Sequence, residues 1–253
     1  MSDAATVQRR GLRDSLRWLG GGSEGAEAWE ASGVTAAVVP ATPQRSIINS
    51  VVYDDLGALE AAYGGLVAAY EDAGVAAWNV WTPDYDAEAI AMLTERGHAF
   101  DGEPGAMTLA LDDLRVPDSD DLDWDSGASF DELGRINDAA YEHPDGGGIA
   151  AALAGARDGV PIRLYRARRD GETASVLATI DHHDDLGIYY VATHPDHGRQ
   201  GLAGRLLAAA LGEGRERGMR TSSLQSSAKG EAVYTRLGYE HRFRLRLYER
   251  RAG

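Results

Sequence analysis

The sequence predicts an α/β chain of two related domains, each a mixed sheet flanked by helices, and three observations lead there. Residues 128–250 read as two helices and three strands, followed by helix, strand, helix and strand. The residues before 118 repeat the end of that order. Between them Asp112 to Gly127 is rich in acids, holds one proline and shows little periodicity, as a solvated linker does. The boundary is expected near residue 118, giving domains 1–118 and 119–253.

In the first domain Val34 to Val39 and Ile47 to Tyr53 have strand composition, and Leu56 to Tyr70 has the apolar spacing of a helix. Gly74 ends that helix, Val75 to Trp81 follows as a strand, Ala87 to Arg96 is a short helix, and Gly97 leads into a strand at Ala99 and Phe100. In the second domain Phe130, Leu133, Ile136 and Tyr141 share one helix face, and Ile149 to Ala156 is a short helix after three glycines. Ile162 to Arg168, Ala174 to Asp181 and Leu186 to Thr193 form a three-strand meander with turns at Gly171 and Asp184. Leu202, Leu206, Leu207, Ala210 and Leu211 recur at helical spacing up to Gly218. Thr221 to Ser226 is a strand and Gly230 to Leu237 a helix closed by Gly238. His241 to Glu249 is a last strand with Phe243, Leu245 and Leu247 on one face and arginines on the other, the pattern of a sheet edge with one wet side. The glycines that bracket the strand and short helix are 23 residues apart in the first domain (74 to 97) and 20 in the second (218 to 238), which points to an internal duplication.

Composition excludes several functions. With 253 residues, 43 % of them apolar, the chain can build real cores. Its longest apolar stretches, such as Ile188 to Ala192, fall far short of the roughly 20 residues that cross a bilayer, so no membrane partner is expected. The absence of cysteine removes disulfides, thiolate metal sites and cysteine nucleophiles, and no metal is expected. A formal charge of −15, with the acid excess mostly in the first half, disfavours a nucleic-acid partner. Met1 to Arg10 places arginines after a polar stretch with no apolar core behind them, and a cytoplasmic location is expected.

The stretch with the most chemistry runs from Val191, Ala192 and Thr193 through His194-Pro195 to Arg199, Gln200, Gly201, Leu202, Ala203 and Gly204. A strand, a proline stop and a loop of small residues present the first free N–H groups of a long helix, and an anion is their natural guest. Small residues admit a pyrophosphate to the backbone, and Arg199 and Gln200 add donors. The ordinary alternative is a strand-to-helix connection in which glycine serves only turn geometry.

This stretch resembles the acyl-CoA-binding segment of the GCN5-related N-acetyltransferases (GNAT), Arg/Gln-x-x-Gly-x-Gly/Ala after a strand. Gly201, Leu202 and Ala203 match its last positions. Gly198 stands where Arg or Gln is usual, with Arg199 one place later. Downstream, Leu224 to Tyr239 resembles the family's closing signature of a short strand, a helix bearing Tyr, and Leu-Gly-aromatic. The resemblance covers roughly residues 128–250. It implies tandem GNAT-like domains, each with a mixed and mostly antiparallel sheet, the first a degenerate copy in which Asp54-Asp55-Leu56 replaces the glycine loop. It also implies acetyl-CoA as acyl donor, bound by Val191, Ala192, Thr193, Arg199, Gln200, Gly201, Leu202, Ala203, Gly204 and Ser227. Tyr234 inherits the place of the catalytic general acid for the departing thiolate. A packed core tyrosine is the alternative for that residue.

The expected activity is transfer of an acetyl group to a primary amine, chiefly of a small molecule, by a monomer or homodimer. A protein N-acetyltransferase and a non-catalytic acyl-CoA-binding regulator are the alternatives. A nucleotide-binding reading lacks the Gly-Lys-Ser/Thr that triphosphate loops need. The general base is left open. Asp181, His182, His183, Asp184 and Asp185 read as a solvated hairpin, Glu142 and His143 follow the first helix of the second domain, and Glu231 suits a helix N-terminus. Trp78, Trp81 and Tyr85 read as core packing before an acceptor pocket.

Overall fold

The computed structural model describes residues 2–141, 147–156 and 162–252. Two compact units divide the chain. Ser2–Gly105, Ala151–Arg157 and Phe243–Gly253 form the first, and Ala106–Ala150 with Asp158–Arg242 form the second.

The first unit holds strands β1 (Glu27–Ala31), β2 (Val34–Val38), β3 (Ser50–Tyr53), β4 (Ala77–Pro83) and β5 (Ala99–Gly102), with helices α1 (Ser2–Leu19), α2 (Leu56–Asp72) and α3 (Ala87–Glu95). It also takes most of the last strand, β12 (Glu240–Arg251), which pairs antiparallel with β4 on one side and β5 on the other. β3 and β4 run parallel. Asp55 and Asp86 cap α2 and α3, each accepting from an amide of the first turn. Helix α1 was not evident in the sequence, although Leu12, Leu16 and Leu19 lie at helical spacing and are buried.

The second unit holds β6 (Gly105–Ala110), β7 (Trp124–Asp125), β8 (Ile162–Arg169), β9 (Glu172–His182), β10 (Asp185–Thr193) and β11 (Thr221–Ser226), in the order β6-β11-β10-β9-β8-β7. Strands β7 to β10 are antiparallel neighbours, while β10 and β11 run parallel. Its helices are α4 (Phe130–Ala140), α6 (Leu202–Glu216) and α7 (Glu231–Leu237); a four-residue helix α5 (Ile149–Ala152) follows α4 at the point where the chain passes from this unit to the first. Leu206, Leu207 and Leu211 of α6 pack with Tyr165, Ala167, Leu177, Leu186 and Ile188. Arg166, between Tyr165 and Ala167, instead bonds Glu132 on α4 at 2.7 Å, so α4 and α6 cover opposite faces of the sheet.

The mixed, mostly antiparallel sheets flanked by helices agree with the expected fold class. The division of the chain differs from the expected boundary at 118 in two places. Met107, Leu109 and Leu111 are buried in the core of the second unit, so the crossover falls at Gly105 and the acid-rich run lies inside that unit. Phe243 to Gly253 belongs to the first unit, and β12 is an interior strand rather than the sheet edge its wet face suggested. Periodicity reports one dry face and one wet face; it says nothing of which strands lie alongside.

A directed chain of hydrogen bonds holds β12 there. Arg250 Nη1 donates to the Tyr63 hydroxyl at 2.9 Å, Tyr63 lies 3.0 Å from His98 Nε2, and His98 Nδ1 lies 2.9 Å from the Tyr248 carbonyl. Because a carbonyl only accepts, His98 carries its proton on Nδ1 and Nε2 accepts from Tyr63. Burial lowers the pKa of His98 to about 4, against the opposing carbonyl bond and with the help of Arg250 and Arg96.

Between pH 6.5 and 4 the unfolded chain therefore binds a proton at this position that the folded unit refuses, so stability is present above the unfolded pKa and falls as pH drops. The expected loss is roughly 3 kcal/mol across that window. Thermal unfolding of the wild type against His98→Gln should show a steeper acid-side decline for the wild type; equal slopes would refute it.

Candidate functional site

The second unit's site starts from a fault in a ladder. β10 pairs with β9, but Tyr189 faces Ala178 while Ala192 faces Val176, so Tyr190 and Val191 together oppose one residue. This is a β-bulge, and Tyr190 sits in the left-handed region at φ 54°. For a bulky residue that conformation costs about 1–2 kcal/mol, which the surroundings must offset. Asn137 Nδ2, from α4, donates to the Tyr190 carbonyl at 3.1 Å. Ser175 Oγ donates to the Ala192 carbonyl and also meets Thr193 Oγ1, each at 2.9 Å.

The phase of the ladder decides what is left over. The His194 amide donates to the Ala174 carbonyl at 2.8 Å, so residues 192 and 194 face β9. By the alternation of an antiparallel ladder, Val191 and Thr193 then turn their backbone groups to the other edge. On that edge β11 pairs with β10 only at Asp185–Thr221, Leu186–Ser222 and Gly187–Ser223. Beyond Ile188 the strands part, and Val191 and Thr193 border the gap. Ala192, expected with them, is buried and turned to β9.

After Thr193 a short 3-10 turn, Pro195–His197, carries the chain into an exposed loop. Arg199 at φ 62° and Gly201 at φ 75° then swing it into α6. No side chain caps α6, so the amides of Leu202, Ala203 and Gly204 face outward with the positive end of the helix dipole behind them. A Cβ at Gly201 would meet nothing nearer than Arg205 Cδ at 4.0 Å, so glycine is required here for its backbone angle rather than for space. Arg199 and Gln200 are exposed, Ala203 and Gly204 are half-buried, and the Leu202 side chain is buried, leaving only its backbone available. The Arg205 guanidinium pairs with Asp121.

Tyr234 lies next to this loop. A methyl at Gly204 would rest 3.6 Å from Val233 Cγ1, so the first turn of α6 abuts α7. A methyl at Gly230 would come 2.9 Å from Tyr234 Cε2 and 3.1 Å from Ser226 Oγ, so the ring folds over Gly230 beside the end of β11. Tyr239 meets it edge-on at 5.9 Å. Burial raises the Tyr234 pKa above the ordinary tyrosine value, and the Tyr141 phenol pushes the same way. The hydroxyl is therefore a donor throughout the physiological range. Ser227 is exposed in the turn before α7, and its carbonyl accepts from the Gly230 amide at 2.9 Å.

The hairpin at 181–185 departs from its solvated reading. His183 and Asp184 are exposed, but His182 and Asp185 are buried and Asp181 pairs with Arg217 at 3.1 Å. His182 Nε2 lies 3.1 Å from the Tyr189 hydroxyl. Asp185 accepts from Thr221 at 2.7 Å and Ser223 at 2.6 Å, and burial raises its pKa. Among the described residues no group of three His, Asp or Glu is placed to hold a metal. Glu231 lies in the first turn of α7. Trp78 and Trp81 are core residues, whereas Tyr85 is exposed against Phe243. Glu142 and His143 lie outside the described residues.

Sequence reasoning missed Asn137, Ser175 and the bulge. The available signal was Asn137 itself, a polar residue on the buried stripe of Leu133 and Ile136. Its helix is firmly set: Ser129 and Glu132 form a capping box. Partial desolvation raises the Glu132 pKa, but bonds from Thr173, the Ser129 amide and Arg166 outweigh it and bring it to about 2.

The sequence of residues 161–241 matches the model of the acetyltransferase (GNAT) domain. No curated protein matches the chain in sequence. Its fold is similar to that of a GCN5-related N-acetyltransferase from Kribbella flavida, with 18 % identity, a TM-score of 0.65, and coverage of 96 % of this chain and 95 % of that one. An acetyltransferase of the GNAT family from Novosphingobium aromaticivorans gives 17 %, 0.57, and 89 % and 92 %. A tandem GNAT protein from the clavulanic acid biosynthesis pathway gives 15 %, 0.58, and 87 % and 78 %. Members of this family take acetyl-CoA as acyl donor. Residues 161–241 thus match the acetyltransferase domain of the GNAT family, within a chain whose fold is that of two GNAT-like halves.

Proposed function

We propose that the second unit transfers the acetyl group of acetyl-CoA to a primary amine of a small molecule. The observation that carries this reading is the gap beside β10, bordered by Val191 and Thr193, with the uncapped amides of α6 at one end and the Tyr234 phenol beside it. The α6 amides would take the donor's diphosphate, which suits an N-terminus without a capping side chain. Arg199 and Gln200 are exposed beside them and would add donors, as would Ser227 from the turn before α7. Backbone groups of Val191 and Thr193 would align the pantetheine arm.

The chemistry follows from these placements. The amine attacks the thioester carbon, and the Val191 N–H stabilises the carbonyl oxygen as it gains charge, a bond that strengthens toward the transition state. The carbon–sulfur bond then breaks and the sulfur leaves with its electron pair. A thiolate has a conjugate-acid pKa of about 8.5 and an ordinary phenol about 10, so the raised Tyr234 favours donating a hydrogen bond to that sulfur over surrendering its proton outright. An alkylammonium group is neutral only about one part in a few thousand at pH 7. Its proton must leave through a base or a water chain, and no residue is assigned to that step.

The first unit is proposed to bind no donor. Where the second unit has Gly201, the first has Asp55, whose carboxylate caps α2 by accepting from the Ala58 amide at 2.9 Å. A diphosphate there would meet a fixed negative charge on donors already used.

Two measurements test the reading. Thiol release from acetyl-CoA against a panel of small amines should fall about 100-fold in kcat for Tyr234→Phe, with donor affinity by calorimetry unchanged. Tight donor binding without turnover on any amine would favour the regulator instead, and no binding would end the proposal. Gly201→Val should weaken donor affinity by about tenfold, because a β-branched residue resists the left-handed angle; unchanged affinity would place the diphosphate elsewhere.

A further inference from the structure

Four described residues other than glycine have positive φ: Asp170, His183, Tyr190 and Arg199. Asp170 and His183 occupy hairpin turns and Arg199 an exposed loop, where such angles are ordinary. Tyr190 alone lies inside a strand, and a tyrosine does not enter that region of its own preference. Something must hold it.

Asn137 is placed to do so. It is buried in the last turn of α4, and its Nδ2 reaches across to the Tyr190 carbonyl at 3.1 Å. That carbonyl belongs to the peptide whose nitrogen is Val191 N, so the two ends of one rigid plane are set together. Fixing the oxygen on the α4 side fixes the direction of the N–H. The helix behind Asn137 is itself tied to the sheet through Glu132, with Arg166 at 2.7 Å, and through the Thr173 hydroxyl. Ser175 secures the strand on the far side of the bulge through the Ala192 carbonyl.

We infer that Asn137 is a positioning residue for acyl transfer: by gripping the Tyr190 carbonyl it keeps β10 kinked and aims the Val191 N–H into the gap beside β11. The inference rests on the acetyl-transfer reading for its consequence, but its geometry stands without it. Asn137 touches neither donor nor acceptor in this account and acts through the backbone.

The variant Asn137→Leu keeps the side chain's size and removes its donors. Its kcat should fall about 10- to 100-fold, the effect of a misdirected donor in a reacting site. Acetyl-CoA affinity by calorimetry should stay within about threefold, because the α6 amides are untouched. In two-dimensional NMR of the free protein the Val191 amide resonance should shift while those of Leu202 to Gly204 remain in place. A kcat within about twofold of wild type would overturn the inference. So would an unmoved Val191 resonance, or a kcat loss matched by an equal loss of donor affinity. If Asn137→Leu does not fold, Asn137→Ala serves with the same readouts. A wild type that binds no acetyl-CoA would end the functional reading, and the NMR comparison would still decide whether Asn137 sets the bulge.

Discussion

The left-handed backbone at Tyr190 is the constraint on which the second unit's site depends. A strand inside a parallel–antiparallel sheet normally spends every N–H and C=O on its neighbours, and a fully paired β10 would have nothing to offer a guest. The extra residue of the bulge turns the pairing of Val191 and Thr193 away from β9, while β11 diverges after Ser223. The strand is anchored on both faces of the sheet. Ile188 and Leu186 pack into the α6 cluster on one face, where Ser175 also holds the Ala192 carbonyl, and Asn137 holds the Tyr190 carbonyl from α4.

The same logic explains the neighbouring loop. A helix N-terminus that keeps its own amides free must be entered without a capping side chain, and Gly201 at φ 75° allows that entry. In the first unit the matching connection uses Asp55 and closes the N-terminus with its carboxylate. The two units thus enter the corresponding helix differently, with a carboxylate cap at Asp55 in one and a left-handed glycine at Gly201 in the other.

The first unit shows a different economy. Its β12 comes from the far end of the chain, and the Arg250, Tyr63, His98 and Tyr248 bonds lock it between β4 and β5. Closing so long a loop costs only slowly growing entropy, while an interior strand satisfies two ladders at once. The second unit in turn takes residues 106–111 into its core.

Local pattern determined much of this protein. Helix periodicity from Leu202 to Leu211, alternation in the meander, and the helix stop at Gly238 were legible because each depends on residues close in sequence. The family resemblance carried by Gly201 to Ala203 and by Tyr234 to Tyr239 was legible for the same reason. Only the tertiary structure decided that β12 leaves its own half, that His182 and Asp185 are buried while His183 and Asp184 are not, and that Asn137 meets Tyr190 across 53 positions. A strained angle at a tyrosine has no local signature, since nothing near it in sequence favours the angle; it exists because a distant helix brings a donor to its carbonyl, and contacts of that separation are set by packing rather than by periodicity.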